Sequence, residues 1–184
     1  MWRVLLKKFP LYAVIAIFIL GYPYPVSAGA GAKLAQSEND VRTYVDRFYT
    51  WYAPISEKRG NHDALLLALR EKSVSFDGKL SKLLSDDVAA QQKAVGEIVG
   101  LDFDPFLYSQ DSSGIYRAGR INWQQDRFLI SIDHCNSVNK CRPTGVRALV
   151  GRMNSRFVFE NFLYPEGRNL IETLIELRKG RASR

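Results

Sequence analysis

The apolar residues of this chain change their spacing once, near residue 115, and this change limits the fold more than any other feature. Before it, apolar side chains recur at the intervals of a helix; after it, they form short runs bounded by turn residues. Short strands joined by tight turns favour an antiparallel sheet. Because the chain has 184 residues, it has room for one ordinary domain. We therefore predict a single α+β domain with N-terminal helices packed on one face of the sheet.

Three helices are expected before the strands and one after them. The first has an N-cap at Ser37 and ends at Pro54, which has no backbone N–H to donate. The second begins at Gly60-Asn61, and the third covers residues around 80–88. The last spans 170–179, with a glycine just after it. The first helix carries an apolar stripe of Val41, Tyr44, Val45, Phe48, Tyr49 and Tyr52. Such a stripe is typical of core packing, and the alternative is that one of its tyrosines lines a pocket.

The second half of the chain contains five short runs with the composition of strands. They lie at 115–116, 120–123, 128–133, 146–150 and 157–159. Turn-forming residues separate them at 112–114, 124–126, 136–140 and 153–155. Turn signals between such closely spaced runs are the basis for the antiparallel prediction.

The N-terminus has the composition of a secretory signal peptide. Arg3, Lys7 and Lys8 precede ten uncharged, mostly aliphatic residues at 11–20, and small residues follow. A basic start, a short apolar core and small residues at the exit are typical of a cleaved signal. We expect cleavage after Ala28, with residue 30 as the second choice. The alternative is an uncleaved anchor, but a membrane span needs about 20 apolar residues.

Cleavage would remove a signal peptide (residues 1–28). It would leave a flexible leader (29–36), a single domain (37–179) and a tail (180–184). The chain has a net charge of +7, and three of its positive charges lie in the signal segment, which leaves about +4. This charge is ordinary for a soluble domain and predicts no nucleic-acid partner. No cysteine lies near the cleavage site. We therefore expect neither a lipid anchor nor a stable membrane anchor after cleavage.

Cys135 and Cys141 are the only cysteines in the chain. In an exported protein such a pair is typical of a disulfide. The turn-like segment between them, with strand-like runs on both sides, places the bridge at the base of a β-hairpin loop. A redox pair usually has the spacing Cys-x-x-Cys at a helix start, and structural zinc needs four ligands, of which only His134 is near. We predict a structural disulfide, with no metal and no cofactor.

The densest cluster of acidic and aromatic residues lies at 101–111. Its polar members include Asp102, Asp104, Gln110 and Asp111. A calcium loop needs a glycine at its sharp turn and a closing glutamate, which this register lacks, and an acid–base pair needs a nucleophile or base nearby. One interpretation is an Asp-Pro turn, in which Asp104 accepts hydrogen bonds from local amides while the neighbouring phenylalanines pack into the core. The other is a ligand or partner site.

Three segments of the chain, 45–52, 101–111 and 157–165, carry a resemblance to a known family. Over about residues 41–165 the chain resembles the bacterial envelope proteins called domain of unknown function 3828. The Asp-Pro-Phe element at 104–106 followed by Gln110-Asp111, and the closing Asn-Phe-x-Tyr-Pro, are its more specific parts. The resemblance implies an exported protein whose reaction is not established. The chain differs from the lipoprotein members because it has no lipidation cysteine.

The resemblance also implies the nuclear transport factor 2-like fold, in which helices pack into the concave face of a curved antiparallel sheet. Such a cone leaves a pocket, and enzymes with this fold place an acid–base pair inside it. The candidate pocket or partner residues are Tyr44, Tyr49, Tyr52, Asp104, Gln110 and Asp111. His134 is a further acid–base candidate.

Three functions stay open on this basis. The one that we favour is a non-catalytic periplasmic module that binds another envelope protein. It includes an inhibitor or immunity protein against an envelope hydrolase, with the Cys135–Cys141 loop as its wedge. The second is a pocket for a small-molecule ligand, with or without catalysis. The third is a basic surface for envelope polymers. The arginines of that surface would be Arg142, Arg147, Arg152 and Arg156.

Overall fold

The computed structural model describes residues 28–94, 99–109, 113–137 and 140–183, with the backbone alone for 28–35. Its helices are α1 (Ala28–Arg59), α2 (Asn61–Glu71), α3 (Gly78–Lys93) and α4 (Leu170–Ala182). Its strands are β1 (Ile115–Gln124), β2 (Arg127–Ser137), β3 (Lys140–Met153) and β4 (Arg156–Leu163). The strands form one antiparallel sheet in the order β1-β2-β3-β4. The prediction of a single α+β domain, with helices followed by an antiparallel sheet, is confirmed.

The five predicted runs form four strands, because the first two belong to β1. A register shift between Ala118 and Ile121 interrupts its pairing with β2, and such a bulge breaks the alternation that sequence patterns rely on. Two-residue turns at Gln125-Asp126 and Asn154-Ser155 join the outer hairpins, and all four residues have positive φ. That is the backbone of the turns that match the twist of paired strands.

The helix α1 is longer at both ends than predicted. It begins at Ala28, so the segment 29–36, predicted as a flexible leader, is helical, and Ser37 lies inside the helix. The rest of the predicted signal peptide lies outside the described residues. Pro54 does not end α1, which continues to Arg59. Proline costs a helix one hydrogen bond, but buried Tyr52 and Ala53 precede this proline and buried Ser56 follows it, so packing holds the turn.

The helix α4 also runs beyond its predicted end. Gly180 was predicted just after the helix, with 180–184 as a tail, but α4 continues to Ala182. Arg181 pairs there with Asp87 of α3 through Nη1 and Oδ1, 2.5 Å apart. Glycine has a low helix propensity, so Gly180 favours the end of a helix. The tertiary ion pair of Arg181 stabilises the turn that follows it.

The core lies between α1, α3 and one face of the sheet. From α1 it receives Val41, Val45, Phe48, Tyr49 and Tyr52, all buried, which confirms the core-packing interpretation for these five. Aromatic rings fill the centre of the core. The centroid of the Phe48 ring lies 4.8–5.8 Å from the centroids of the Tyr52, Phe76, Phe106 and Phe159 rings. The members of this ring cluster are Phe48, Tyr52, Phe76, Phe106, Phe159 and Phe162.

Each outer strand of the sheet is covered by another element over part of its length. Along β1, Arg42 of α1 donates through Nη1 to the carbonyl oxygens of Ala118 (2.8 Å) and Gly119 (2.9 Å), while Asp46 Oδ1 accepts from the Ala118 N–H at 2.7 Å. Along β4, Phe76 forms a parallel bridge with Phe159. At these positions the edge of the sheet is not free to pair with another chain.

Candidate functional site

The acidic segment at 101–111 is organised by Asp104. Its Oδ1 accepts from the backbone N–H of Phe106 at 2.9 Å and of Leu107 at 3.0 Å. The Tyr108 N–H closes the turn on the Asp104 carbonyl oxygen at 2.8 Å. Aspartate before proline readily forms such a local turn, and the predicted Asp-Pro turn is confirmed. We call residues 104–107 the Asp104 turn.

Hydroxyl groups from α1 and from Tyr164, the residue after β4, hold the Asp104 turn in the core. Tyr52 and Ser56 donate to Asp104 Oδ2 at 2.9 and 2.6 Å. Tyr49 donates to the Phe106 carbonyl oxygen at 2.8 Å, and Tyr164 donates to the Pro105 carbonyl oxygen at 2.8 Å. Residues three, four and seven apart share one face of a helix, so α1 presents its three donors together.

Burial controls the protonation of this cluster. Asp104 is 0% exposed, and removal from water raises the pKa of its carboxyl group, although its four hydrogen bonds act in the opposite direction. Burial likewise raises the pKa of Tyr49 and Tyr52 well above the ordinary value, and the nearby Asp104 charge adds to the increase. Both tyrosines therefore stay protonated donors at neutral pH.

The geometry indicates what this cluster can do. A general acid or base must reach the proton that it transfers. Asp104 and Tyr52 have no exposed surface, and both carboxylate oxygens of Asp104 accept two hydrogen bonds from the protein itself. The cluster stabilises an internal turn and offers no atom to a substrate.

The other predicted site residues do not join this cluster. Tyr44 donates its hydroxyl to the Ser75 carbonyl oxygen at 2.8 Å, and its half-buried ring packs beside those of Phe157 and Phe159. His134 Nε2 lies 2.9 Å from the Ser113 carbonyl oxygen, away from Asp104. Gln110 and Asp111 lie outside the described residues.

Sequence reasoning missed two members of the cluster, Ser56 and Tyr164. Ser56 lies beyond Pro54, where the helix was predicted to have ended. Tyr164 belongs to the closing Asn-Phe-x-Tyr-Pro segment, which is part of the family resemblance. The resemblance did not predict a hydrogen-bond partner for the Tyr164 hydroxyl group.

The cysteine pair forms the predicted disulfide between Cys135 and Cys141. The two residues lie directly opposite each other on β2 and β3, with their Cα atoms 4.0 Å apart. The bridge therefore closes the base of a hairpin loop, as predicted. Within the described parts of the chain, no group of three or more histidine, cysteine, aspartate or glutamate residues could hold a metal ion.

The four arginines predicted as one basic surface lie on different parts of the sheet. Arg142 pairs with His134 across the strands, and Arg147 pairs with Ser131. His134 pairs in turn with Tyr116 of the core face, whereas the Arg147–Ser131 pair is on the opposite face. Arg152 stacks over the Phe157 ring at 4.8 Å, and Arg156 begins β4.

In comparisons with known proteins, no family model, curated protein or solved structure matches this chain. Among the helices that the structure describes, none is both long enough and apolar enough to cross a membrane.

Proposed function

We propose that this chain is an exported envelope protein that binds another protein without catalysing a reaction. The observation that carries the proposal is the role of Asp104. The residues best suited to an acid–base centre, Asp104 and Tyr52, hold an internal turn instead. A function must be argued from a site. Because the buried cluster around Asp104 has a structural role, we place the binding function at the surface of the domain.

The proposal includes the periplasm as the compartment. The basic and apolar N-terminus supports export, and the Cys135–Cys141 disulfide needs an oxidising compartment to persist. The domain of unknown function 3828 family and its nuclear transport factor 2-like cone belong to the same proposal. Their support is the helix α1 lying across one face of a four-stranded antiparallel sheet.

The interior packing favours protein binding over a small-molecule pocket in the cone. The space between α1 and the sheet holds Phe48, Tyr52, Phe106, Phe159 and Phe162, all buried and in ring-to-ring contact. Close-packed interiors have few voids larger than a water molecule. This packing favours binding at the surface over a ligand inside the cone.

An affinity capture tests the proposal. The mature, oxidised protein, immobilised through its C-terminus, is incubated with an envelope extract of its own source, and the eluate is analysed by mass spectrometry. We expect one protein in a stoichiometric amount, which excess free protein competes away. Elution of a small molecule without a stoichiometric protein would contradict the proposal.

The disulfide gives a separate prediction about stability. The variant C135S/C141S is expected to lose about 2 kcal/mol of unfolding free energy, because the bridge closes a short loop in the unfolded chain. Urea unfolding of the oxidised protein and the variant measures this loss. Wild-type protein treated with a reductant should match the variant, and identical midpoints for oxidised and reduced protein would contradict the prediction.

The same variant tests the inhibitor form of the proposal. If the loop between Cys135 and Cys141 is the wedge, opening it adds an ordering cost to binding, and affinity for the captured partner falls. Unchanged affinity would show that the partner binds elsewhere on the protein.

A further inference from the structure

A groove on the surface of the domain runs between α1, the 3-10 turn Ser73–Ser75 and the start of β4. Its volume is about 490 Å³, within the range of pockets that bind ligands. Three apolar side chains line it, namely those of Tyr44, Val74 and Phe157. We call it the α1–β4 groove.

The apolar part of the groove consists of one exposed side chain, Val74, and the half-buried rings of Tyr44 and Phe157. Val74 is 60% exposed, the largest exposed fraction among the large apolar side chains that the structure describes. The Tyr44 and Phe157 rings lie 5.8 Å apart beside it, and the Tyr44 hydroxyl is held by the Ser75 carbonyl oxygen. Apolar groups that are at least partly accessible at a concave surface are typical of interaction sites.

Two arginines flank this apolar surface from different elements. Arg47 projects from α1 and Arg156 from the first position of β4, and both are exposed. Neither guanidinium group has a hydrogen bond or ion pair with any residue that the structure describes. The acidic side chain in the groove, Asp40, accepts a hydrogen bond from Gln36. The groove therefore has a net positive charge, and guanidinium groups pair best with carboxylates, which they bind through two parallel hydrogen bonds.

The backbone of β4 adds hydrogen-bonding groups. The Phe159 carbonyl oxygen faces the 3-10 turn, because it accepts from the Asp77 N–H at 3.0 Å. Phe157 lies two residues earlier on the same strand, and the backbone direction repeats every two residues. Its N–H and carbonyl groups therefore face the groove. An extended peptide can add to such a strand edge.

We propose that the α1–β4 groove binds an extended acidic segment of the protein partner. Carboxylates of the segment pair with Arg47 and Arg156, and an apolar side chain between them packs on Tyr44, Val74 and Phe157. The segment's backbone bonds to Phe157. This inference rests on the proposed protein-binding function and names the surface and the partner chemistry.

The test uses the mature protein and a display library of random eight-residue peptides. We expect the selected peptides to carry at least two acidic residues around an aromatic or aliphatic one. The variant R47E/R156E should bind them at least tenfold more weakly, and V74S should weaken binding without changing its salt dependence. The control R59E/R178E makes the same charge change at two exposed arginines away from the groove and should bind as the wild type does.

The outcomes separate this inference from the proposed function. Peptides without acidic residues, or binding that R47E/R156E leaves unchanged, would overturn the groove assignment. If R47E/R156E still captures the stoichiometric partner from the extract, the protein-binding function stands and the groove is wrong. Binding to phosphatidylglycerol vesicles that R47E/R156E abolishes, with no peptide selected, would replace the acidic segment by an anionic lipid surface and overturn the inference. Circular dichroism of all variants checks that the changes leave the fold intact.

Discussion

Replacing Asp104 with alanine is expected to lower the free energy of unfolding by about 4 kcal/mol, because it leaves three buried donors without their acceptor. These donors are the Tyr52 hydroxyl group and the backbone N–H groups of Phe106 and Leu107. The Ser56 hydroxyl group also lies 3.3 Å from Asn61 Oδ1 and keeps that acceptor. None of the three residues that carry these donors, Tyr52, Phe106 and Leu107, is more than 1% exposed, so their donor groups cannot turn to water. Urea unfolding at neutral pH measures the loss.

Two further variants test whether the loss of stability comes from the hydrogen bonds of Asp104. Asp104→Asn keeps an oxygen for the two N–H groups, and the hydroxyl groups can rotate to accept from its amide, so we expect a loss of only about 1–2 kcal/mol. Asp102→Ala removes an exposed carboxylate two residues earlier and should change stability by less than about 0.5 kcal/mol. Wild-type stability in Asp104→Ala would contradict the structural role of the Asp104 turn.

The pH dependence of stability should also differ between wild type and Asp104→Asn. Because burial raises the pKa of Asp104 above its ordinary 3.8, the folded state binds this proton more tightly than the unfolded state. The contribution of Asp104 to stability is therefore greatest below pH 3.8 and falls as the pH rises through the folded pKa. Asp104→Asn lacks this titration, so the wild type should lose stability relative to it over that window. Equal pH slopes would contradict the raised pKa.

The elements that could be predicted from the sequence are formed by interactions between residues close together in the chain. The stripe from Val41 to Tyr52 repeats at helical spacing, and the Asp104 turn uses amides two and three residues away. The hairpins follow in the same way from turn residues between short apolar runs. Local patterns of this kind specify secondary structure because the forces involved act within a few residues.

The parts that the sequence did not predict depend on contacts between distant residues. The prediction for Pro54 was wrong because burial on both sides of it outweighs one missing hydrogen bond. Tyr44, Tyr49 and Tyr52 look equivalent in the sequence, yet one lines a surface groove and two bond to the Asp104 turn. Arg47 and Arg156 are separated by most of the domain. Only the packing of α1 against β4 brings these two arginines to one groove.

A second large effect is expected at the other buried carboxylate, Asp87, which is 0% exposed. Its Oδ2 accepts from Gln91 Nε2 and from the Leu101 N–H, each at 3.0 Å, and its Oδ1 accepts from Arg181 at 2.5 Å. Arg181 is the one cation among these partners and comes from α4, 94 residues along the chain. A buried carboxylate therefore depends on the C-terminal helix for its counter-charge.

Replacing Arg181 with alanine is expected to lower the free energy of unfolding by about 3 kcal/mol, because it leaves a buried charge without its partner. The matched control is Arg178→Ala, which removes an exposed arginine from the same helix and should cost less than about 0.5 kcal/mol. In the double variant D87N/R181A the buried charge is gone as well, so about half of the loss should be recovered. Urea unfolding of the wild type, D87N, R181A and D87N/R181A gives the coupling energy between the two side chains. If Arg181→Ala is no less stable than Arg178→Ala, the ion pair does not hold α4 to α3.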